Sequence, residues 1–379
     1  MSSIPKLPPG LKKILSETLS VPTAPFCEGQ LAAFIGKRLN RLAGIKLRTD
    51  RSGNILATYS SRSGKKLPIC FQAHLDHPGF QFIKPLSPGL GLAEGLGGIP
   101  ENCVRGKLRF FGPDGSSVKA TIIKFLRSGS KKWVHIRHRG SIEPGSAGMW
   151  DMAPFREKGS WIAGRGFDDN LGAAILLYLL HHASRRRTAW GFQVLFTRAE
   201  EVGYVGAIEL VRQKSFKLEK SILTVEMPRS AGALVAGNGV VIRAGDSMMD
   251  FDPLVSLRLN ALARRLSGKS WFKSQRGLGL LGGTESTVFQ LEQCKVGSLC
   301  LPVKDAHNRH EQSGRPAYEQ VHRGDLMSLE LMLRTIISEP WDLEQPQQEL
   351  RKKIHGKQRA WAGKLRKASP RLVSRGEKV

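Results

Sequence analysis

Cysteine is scarce in this chain, and its placing excludes two scaffolds. The five cysteines of the 379 residues (Cys27, Cys70, Cys103, Cys294 and Cys300) are odd in number, far apart and include no Cys-x-x-Cys pair. A disulfide framework and a structural zinc knuckle are therefore not expected, and the thiols read as reduced and mostly buried. Long apolar runs are missing too. The densest, Leu171 to Leu180 ("LGAAILLYLL"), is about half of the roughly 20 residues that span a bilayer, so a soluble chain with no membrane partner is expected. The N-terminal stretch sets prolines and lysines where a secretory signal needs an apolar centre, which leaves a cytoplasmic location as the expectation. Acidic residues are few: 32 Asp and Glu against 59 Lys and Arg give a formal net charge of +27. Such a charge favours loose association with polyanions but identifies no function. There is no visible internal repeat.

A hydrophobic share of 40% over this length suffices for a proper core and two folding units. From Glu28 to Leu42 the apolar residues Leu31, Phe34, Ile35, Leu39 and Leu42 recur at helical spacing. "RSGNILATYS" reads as a turn into a strand, and "KLPICFQAHLD" as a more buried strand ending at His74 and Asp76. Between about Phe80 and Gly164 the pattern changes to a Gly-rich loop ("SPGLGLAEGLGGIP") and short β-like runs around turns, a small β-rich module inserted into a larger domain. After "GRGFDDN" comes a helix that is apolar nearly all round and therefore buried. Strand and helix then alternate through "FQVLFTRAEE", "VGAIELVRQ", "SILTVEM", "PLVSLRLNALARRLSG" and "VGSLCLPVKDAH". That alternation predicts an α/β sheet covered by helices. The expected organisation is a discontinuous main domain over 1–79 and 165–340, an inserted β-rich domain over 80–164, and a basic tail over 350–379. In the tail eleven Lys or Arg accompany one Glu, with helix expected only around Trp361.

In open α/β sheets the ligand site lies beyond the carboxyl ends of the strands. That position selects His74 with Asp76, Glu200 with Glu201, Glu226 and His307, while Asp168 stands where the chain re-enters before the buried helix. Each has a plainer explanation. Asp168 or Asp169 would cap the helix, Glu226 would be a solvated strand end, His74 a core histidine bonded to Asp76, and the glutamate pair a surface turn. Four strands ending in metal-ligand chemistry at one edge outweigh those explanations together. Imidazole and carboxylate without thiolate suit Zn, Co or Mn, and a surplus of carboxylates over one tetrahedral set suggests two divalent ions. Two ions about 3.5 to 4 Å apart need a bridging carboxylate, for which Asp168 is the natural choice. One glutamate of the pair would then bind an ion while its neighbour serves as general base.

The motifs "AHLDHPGF", "GRGFDDNLGAA", "TRAEEVGYVGA", "GGTES" and "LPVKDAH", in this order between about Pro22 and Ile337, resemble the dinuclear metallo-aminopeptidases of the tetrahedral aminopeptidase family. That family includes glutamyl and leucyl aminopeptidases and members labelled endoglucanases. The resemblance implies a zinc-exopeptidase-like catalytic domain with a mixed, helix-covered sheet and a nested small β domain. It implies an enzyme that removes N-terminal residues from peptides with two divalent ions, Zn first and Co or Mn next. His74 and Glu226 would serve one ion and Glu201 and His307 the other, with Asp168 between them and Asp169 behind it. Asp76 would orient His74, Glu200 would act as general base and acid, and Thr284 would lie near the substrate. Homo-oligomers, commonly dodecamers, are implied as well. The chain departs from the family pattern at Glu226 and Glu285, where aspartate is usual, and at Asn170, where arginine is common. The longer segment after His307 offers His310 as a rival ligand; His307 is preferred for its spacing from Pro302 and because it ends a strand.

Two rival functions stand beside this one. An N-acyl amino acid deacylase or carboxypeptidase would use the same fold. A nucleic-acid-associated protein would use the basic tail, where Trp361 amid arginines and lysines can stack on bases, although no nucleic-acid-binding motif is visible. A glucanase fits poorly, because glycoside hydrolysis normally uses a carboxylate pair without metal. The stretch Gly89 to Gly98 lacks the Gly-Lys-Ser/Thr sequel and strand-to-helix setting of a phosphate loop and is read as a mobile loop.

Overall fold

The computed structural model describes residues 4–232, 234–278 and 282–368, so the predicted basic tail lies outside the described residues from 369 onward. Helices α1 (Pro9–Ser20) and α2 (Gly29–Leu39) precede three strands, β1 (Ile45–Thr49), β2 (Ile55–Tyr59) and β3 (Lys66–His74). The amphipathic pattern of α2 buries Leu31, Ile35 and Leu39. Helix α1 lies where no element is expected; Pro9 sits in its first turn, where a missing N–H is tolerated, and Leu11, Ile14, Leu15 and Leu19 are buried.

The chain next builds β4 (Gly79–Ser87), β5 (Leu90–Leu96), β6 (Lys107–Phe111), β7 (Ser117–Ser128), β8 (Lys131–His138) and β9 (Ala147–Trp150). These close into a barrel in the order β4-β5-β8-β7-β6-β9. Aromatic rings fill it edge to face, Phe80 against Trp150 with centroids 5.2 Å apart and Phe82 against Phe110 at 5.9 Å. The Gly-rich stretch expected as a loop is strand β5 instead. Its alternate buried positions, Gly91, Ala93 and Gly95, are small; a Cβ on Gly91 would overlap the ring of Phe82, and one on Gly95 the side chain of Ile99. Alternation of glycine and alanine carries no hydrophobic signal, so the strand reads as a loop.

The remaining elements are β10 (Arg156–Lys158), β11 (Trp161–Gly164), α3 (Asn170–Arg186), β12 (Gly191–Thr197), α4 (Val205–Arg212), β13 (Ser221–Glu226), β14 (Val240–Arg243), α5 (Pro253–Leu266), β15 (Ser274–Gly277), α6 (Glu285–Leu291), β16 (Lys295–Cys300), β17 (Glu319–His322) and α7 (Arg323–Ile336). Strands β10, β11 and β17 form a small separate sheet. The main sheet runs β1-β2-β12-β3-β13-β16-β14-β15, the mixed α/β architecture that the sequence predicts. Its centre, β12-β3-β13-β16, is parallel, while β2 and β14 flank it antiparallel. Thr197 pairs with His74 and Glu226 with Cys300, so the carboxyl ends of the central strands line up at one edge. Helix α3 contacts β3 and α1, which explains its apolar circumference. The chain divides after Trp341 into a large unit and a small one that contains α8 (Glu344–Ala368), a helix much longer than the partial one expected around Trp361. Among the described residues no helix is long and apolar enough to cross a membrane.

Replacing Gly91 by Val pushes a branched side chain into the ring of Phe82 and is expected to destabilise the protein by about 1–3 kcal/mol. A thermal melt checks this; an unchanged melting temperature would mean that the ring yields freely.

Candidate metal centre

The glutamate pair leaves β12 through a turn that the backbone resists, because Ala199 has φ 53°, in the left-handed region. Two other carboxylates hold it. Glu28, fully buried at the start of α2, accepts the Ala199 N–H at 2.9 Å and pairs with Arg198 Nη2 at 2.6 Å. Asp76 accepts the N–H groups of Glu200 and Glu201, one on each carboxylate oxygen, both at 3.0 Å. Asp76 also stands beside His74: its main-chain oxygen is 3.1 Å and its Oδ1 3.4 Å from His74 Nδ1. The expected partner of the imidazole is thus at the same time the anchor of the glutamate turn.

The structure brings together all five side chains proposed as ligands. Asp168 turns Oδ1 to His74 Nε2 at 3.4 Å and Oδ2 to His307 Nε2 at 3.3 Å. Glu201 Oε1 lies 3.2 Å from His307 Nε2, and Glu200 Oε2 lies 3.8 Å from His74 Nε2. Three overlapping groups have their ligand atoms within 4.8 Å of one another: His74 with Asp168 and Glu226, His74 with Glu200 and Glu201, and Asp168 with Glu201 and His307. Asp169 caps α3 by accepting the Gly172 N–H at 3.1 Å, so the capping explanation applies to the second aspartate and leaves the first to face the imidazoles.

His307 does not end a strand as expected. β16 stops at Cys300, and His307 lies in a 3₁₀ turn, Ala306–Asn308, with its own backbone left-handed at φ 59°. What fixes it there escaped sequence reasoning. Glu319 accepts the His307 N–H at 2.7 Å and, through its other oxygen, the N–H of Phe167 just before Asp168. Gly98, at the end of the misread Gly-rich stretch, abuts the imidazole so closely that any Cβ would overlap it. His77 approaches the main-chain oxygen of Asp168 and, at 3.1 Å, the side chain of Asn308. Its place directly after "HLD" is the one signal that pointed to it. His310 faces Ser313, 3.1 Å from its hydroxyl, and belongs to none of the three groups.

His74, Asp168, Glu200, Glu201, Glu226 and His307 line a cavity of about 520 Å³ that also takes in Tyr204, Met227, Arg243 and Thr284. Thr284 caps α6 and donates to Asp246 at 3.0 Å. Glu285 is fully buried behind the cavity wall, bonded to Gln72 and, at 2.6 Å, to Thr197. Burial pushes Glu200 well above the ordinary carboxylate range, with Glu201, Glu226 and Glu285 adding to it against His74. Burial likewise raises Glu226 to about 7 and Glu285 to about 8, in both cases against His74. Burial works against charging His74 and His307, yet the carboxylates around them, Glu200 and Glu201 foremost, raise both. Among the described residues, Asp168 Oδ1, Glu201 Oε1 and Glu226 Oε1 are buried and, apart from the imidazole approaches to the first two, have no hydrogen-bond partner. Orphaned buried acceptors of one sign, grouped with two imidazoles and no thiolate, fit divalent cations of the Zn, Co or Mn kind.

A family model of M42 glutamyl aminopeptidase matches residues 136–323, a span that includes Asp168, both glutamates, Glu226 and His307. No curated protein matches the chain. Among solved structures, the TET1 peptidase of Pyrococcus horikoshii is 19% identical over 87% of this chain and 99% of that one, with a TM-score of 0.71; that protein can assemble into a tetrahedron or a large octahedral shell. A TET aminopeptidase from a marine sediment archaeon of the Thaumarchaeota is 16% identical over 89% and 99%, with a TM-score of 0.73. An M18-family aminopeptidase of Thermotoga maritima is 15% identical over 86% and 96%, with a TM-score of 0.62. At these identities the likeness establishes a shared fold.

The raised carboxylates fix a pH dependence. An unfolded Glu titrates at about 4.3, whereas folded Glu226 and Glu285 titrate at about 7 and about 8. The metal-free folded chain therefore holds protons that the unfolded chain has released, and this stabilisation is lost as pH rises through the folded values. Chelator-treated protein is expected to melt at a lower temperature at about pH 8.5 than at about pH 5.5, and added Zn to raise the melt more at the higher pH. A melting temperature that climbs with pH in the treated protein would contradict this electrostatic picture.

Proposed function

The chain belongs to the M42 glutamyl aminopeptidase family and is a metal-dependent peptide-bond hydrolase of the aminopeptidase type; from that premise we propose that its cavity releases N-terminal residues from peptides with two divalent ions and a glutamate base. The observation that carries the two-ion reading is Asp168, which offers a different oxygen to each imidazole. His74, Asp168 and Glu226 would hold one ion, and Asp168, Glu201 and His307 the other. Zn is the first candidate, with Co or Mn next. Ions bound there supply Lewis acidity, polarising a peptide carbonyl and making water easier to deprotonate.

Glu200 is the proposed base. It is buried among carboxylates that favour its protonated form, and His74 steadies its ionised form, so both the proton-accepting and the proton-donating state are supported by its surroundings. Its anchoring through Asp76 keeps the carboxylate aimed into the cavity. The proton removed from the attacking water returns to the leaving amine. The surplus of negative charge at the cavity floor offers the free α-ammonium of a peptide a partner, which favours cleavage at an N-terminus. Thr284, on the wall and held by Asp246, would face the substrate. The assembly of the Pyrococcus homologue supports reading this chain as a homo-oligomer as well.

Glu200→Gln removes the base but no proposed ligand. The variant is expected to keep the metal content of the parent while hydrolysis of aminoacyl-anilides falls by about 10²–10⁴-fold. Near-parental turnover would remove Glu200 from the reaction, and a loss of metal would make it a ligand instead.

A further inference from the structure

Beyond the large unit, α8 carries an exposed apolar stripe. Leu350, Ile354, Trp361 and Leu365 are 44%, 57%, 60% and 71% exposed. Their separations of four, seven and four residues place them, at about 100° per residue, on one stripe about 60° wide. The rest of the circumference is dominated by Lys and Arg, from Arg351 to Lys367, and the only acidic residues, Glu344 and Glu349, stand at the start. Lys364 Nζ lies 4.5 Å from the centroid of the Trp361 ring, bringing a positive charge to the rim of the stripe.

A merely solvated basic helix has no need of four large apolar residues in line, and a nucleic-acid clamp uses rings and cations but gains nothing from Leu350 and Ile354. An apolar line bordered by lysine and arginine is what a helix lying in a membrane interface presents: the line sinks to the acyl boundary while the basic side chains reach outward to phosphate. Charge complementarity selects anionic lipid. We propose that α8 docks this protein on the surface of an anionic lipid bilayer, with Leu350, Ile354, Trp361 and Leu365 entering the boundary between headgroups and acyl chains. The expectation of no membrane partner followed from the lack of a spanning run, and lying on a bilayer requires none. The proposal holds whatever reaction the cavity performs.

The test sediments the full chain with vesicles of equimolar phosphatidylglycerol and phosphatidylcholine, and with vesicles of phosphatidylcholine alone. Binding is expected to the anionic vesicles, at least about tenfold weaker to the neutral ones, and weaker again as salt is raised. The double substitution Ile354→Ser with Trp361→Ser should lower anionic-vesicle binding at least about tenfold, while unchanged hydrolysis of an aminoacyl-anilide shows that the protein is folded. Failure of the parent to bind anionic vesicles overturns the proposal. So does a double variant that binds them as the parent does, since charge alone would then suffice. A smaller assembly on making that substitution, without vesicles, reassigns the stripe to self-association. RNA binding tighter than vesicle binding and indifferent to the substitution reassigns the helix to nucleic acid.

Discussion

The concentration of like charge at one sheet edge is the constraint to which the rest of the large unit answers. Asp168, Glu200, Glu201 and Glu226 point their carboxylates into a space a few ångströms across, largely out of water, where such groups repel strongly and solvent compensates poorly. A fold tolerates this only if the backbone holds the groups against their repulsion and something positive offsets it. The holding is visible. Glu28 and Asp76 spend their own carboxylates on main-chain N–H groups of the turn, so each acidic residue used as an anchor keeps another in place. Two imidazoles supply part of the offset, and the orphaned oxygens mark where more positive charge belongs.

Much of this was legible because parallel sheets display their chemistry at strand ends. His74 and Glu226 are the last residues of β3 and β13, and the glutamate pair lies just past β12. A reader of the sequence needs only the strands, and these were apolar enough to find. What stayed hidden has a common physical origin. Glu319, Glu28 and Gly98 act through main-chain groups or through the absence of a side chain, and neither action leaves a pattern of spacing or hydropathy. His307 was found by its motif and misplaced by its element: a left-handed 3₁₀ turn six residues past β16 looks, in one dimension, like the continuation of a strand. The last two strands of the sheet order, β14 and β15, are four residues each, below the length at which alternation is informative.

The barrel takes on a different meaning once Gly97 and Gly98 are placed. As an inserted module it reads as an appendage, free to vary. Its strand β5, however, runs directly into the residues that touch the site: Gly97 lies against the Cβ of Glu201, and Gly98 against the His307 imidazole. Lys132 of β8 donates to the Gly97 oxygen at 2.8 Å, tying that contact back to the barrel wall. The aromatic packing inside the barrel is therefore connected, through one short segment of backbone, to the position of a proposed ligand. A rigid barrel suits that role better than a loop would, because its closed hydrogen bonding leaves the segment little freedom to move away.

The same separation of scales resolves the oddity of a chain with a net charge of +27 built around an anionic cavity. Exposed charges are screened over about 8–10 Å at ordinary ionic strength, whereas buried ones are screened much less. Surface lysines and arginines consequently do little to neutralise the cavity, and the cavity does little to offset the surface. The two features answer to different partners. Inside, acidic groups gathered at strand ends call for cations and an ammonium. Outside, the basic excess has meaning only where it coincides with something that solvation does not explain, and α8, where cations border an apolar stripe, meets that condition.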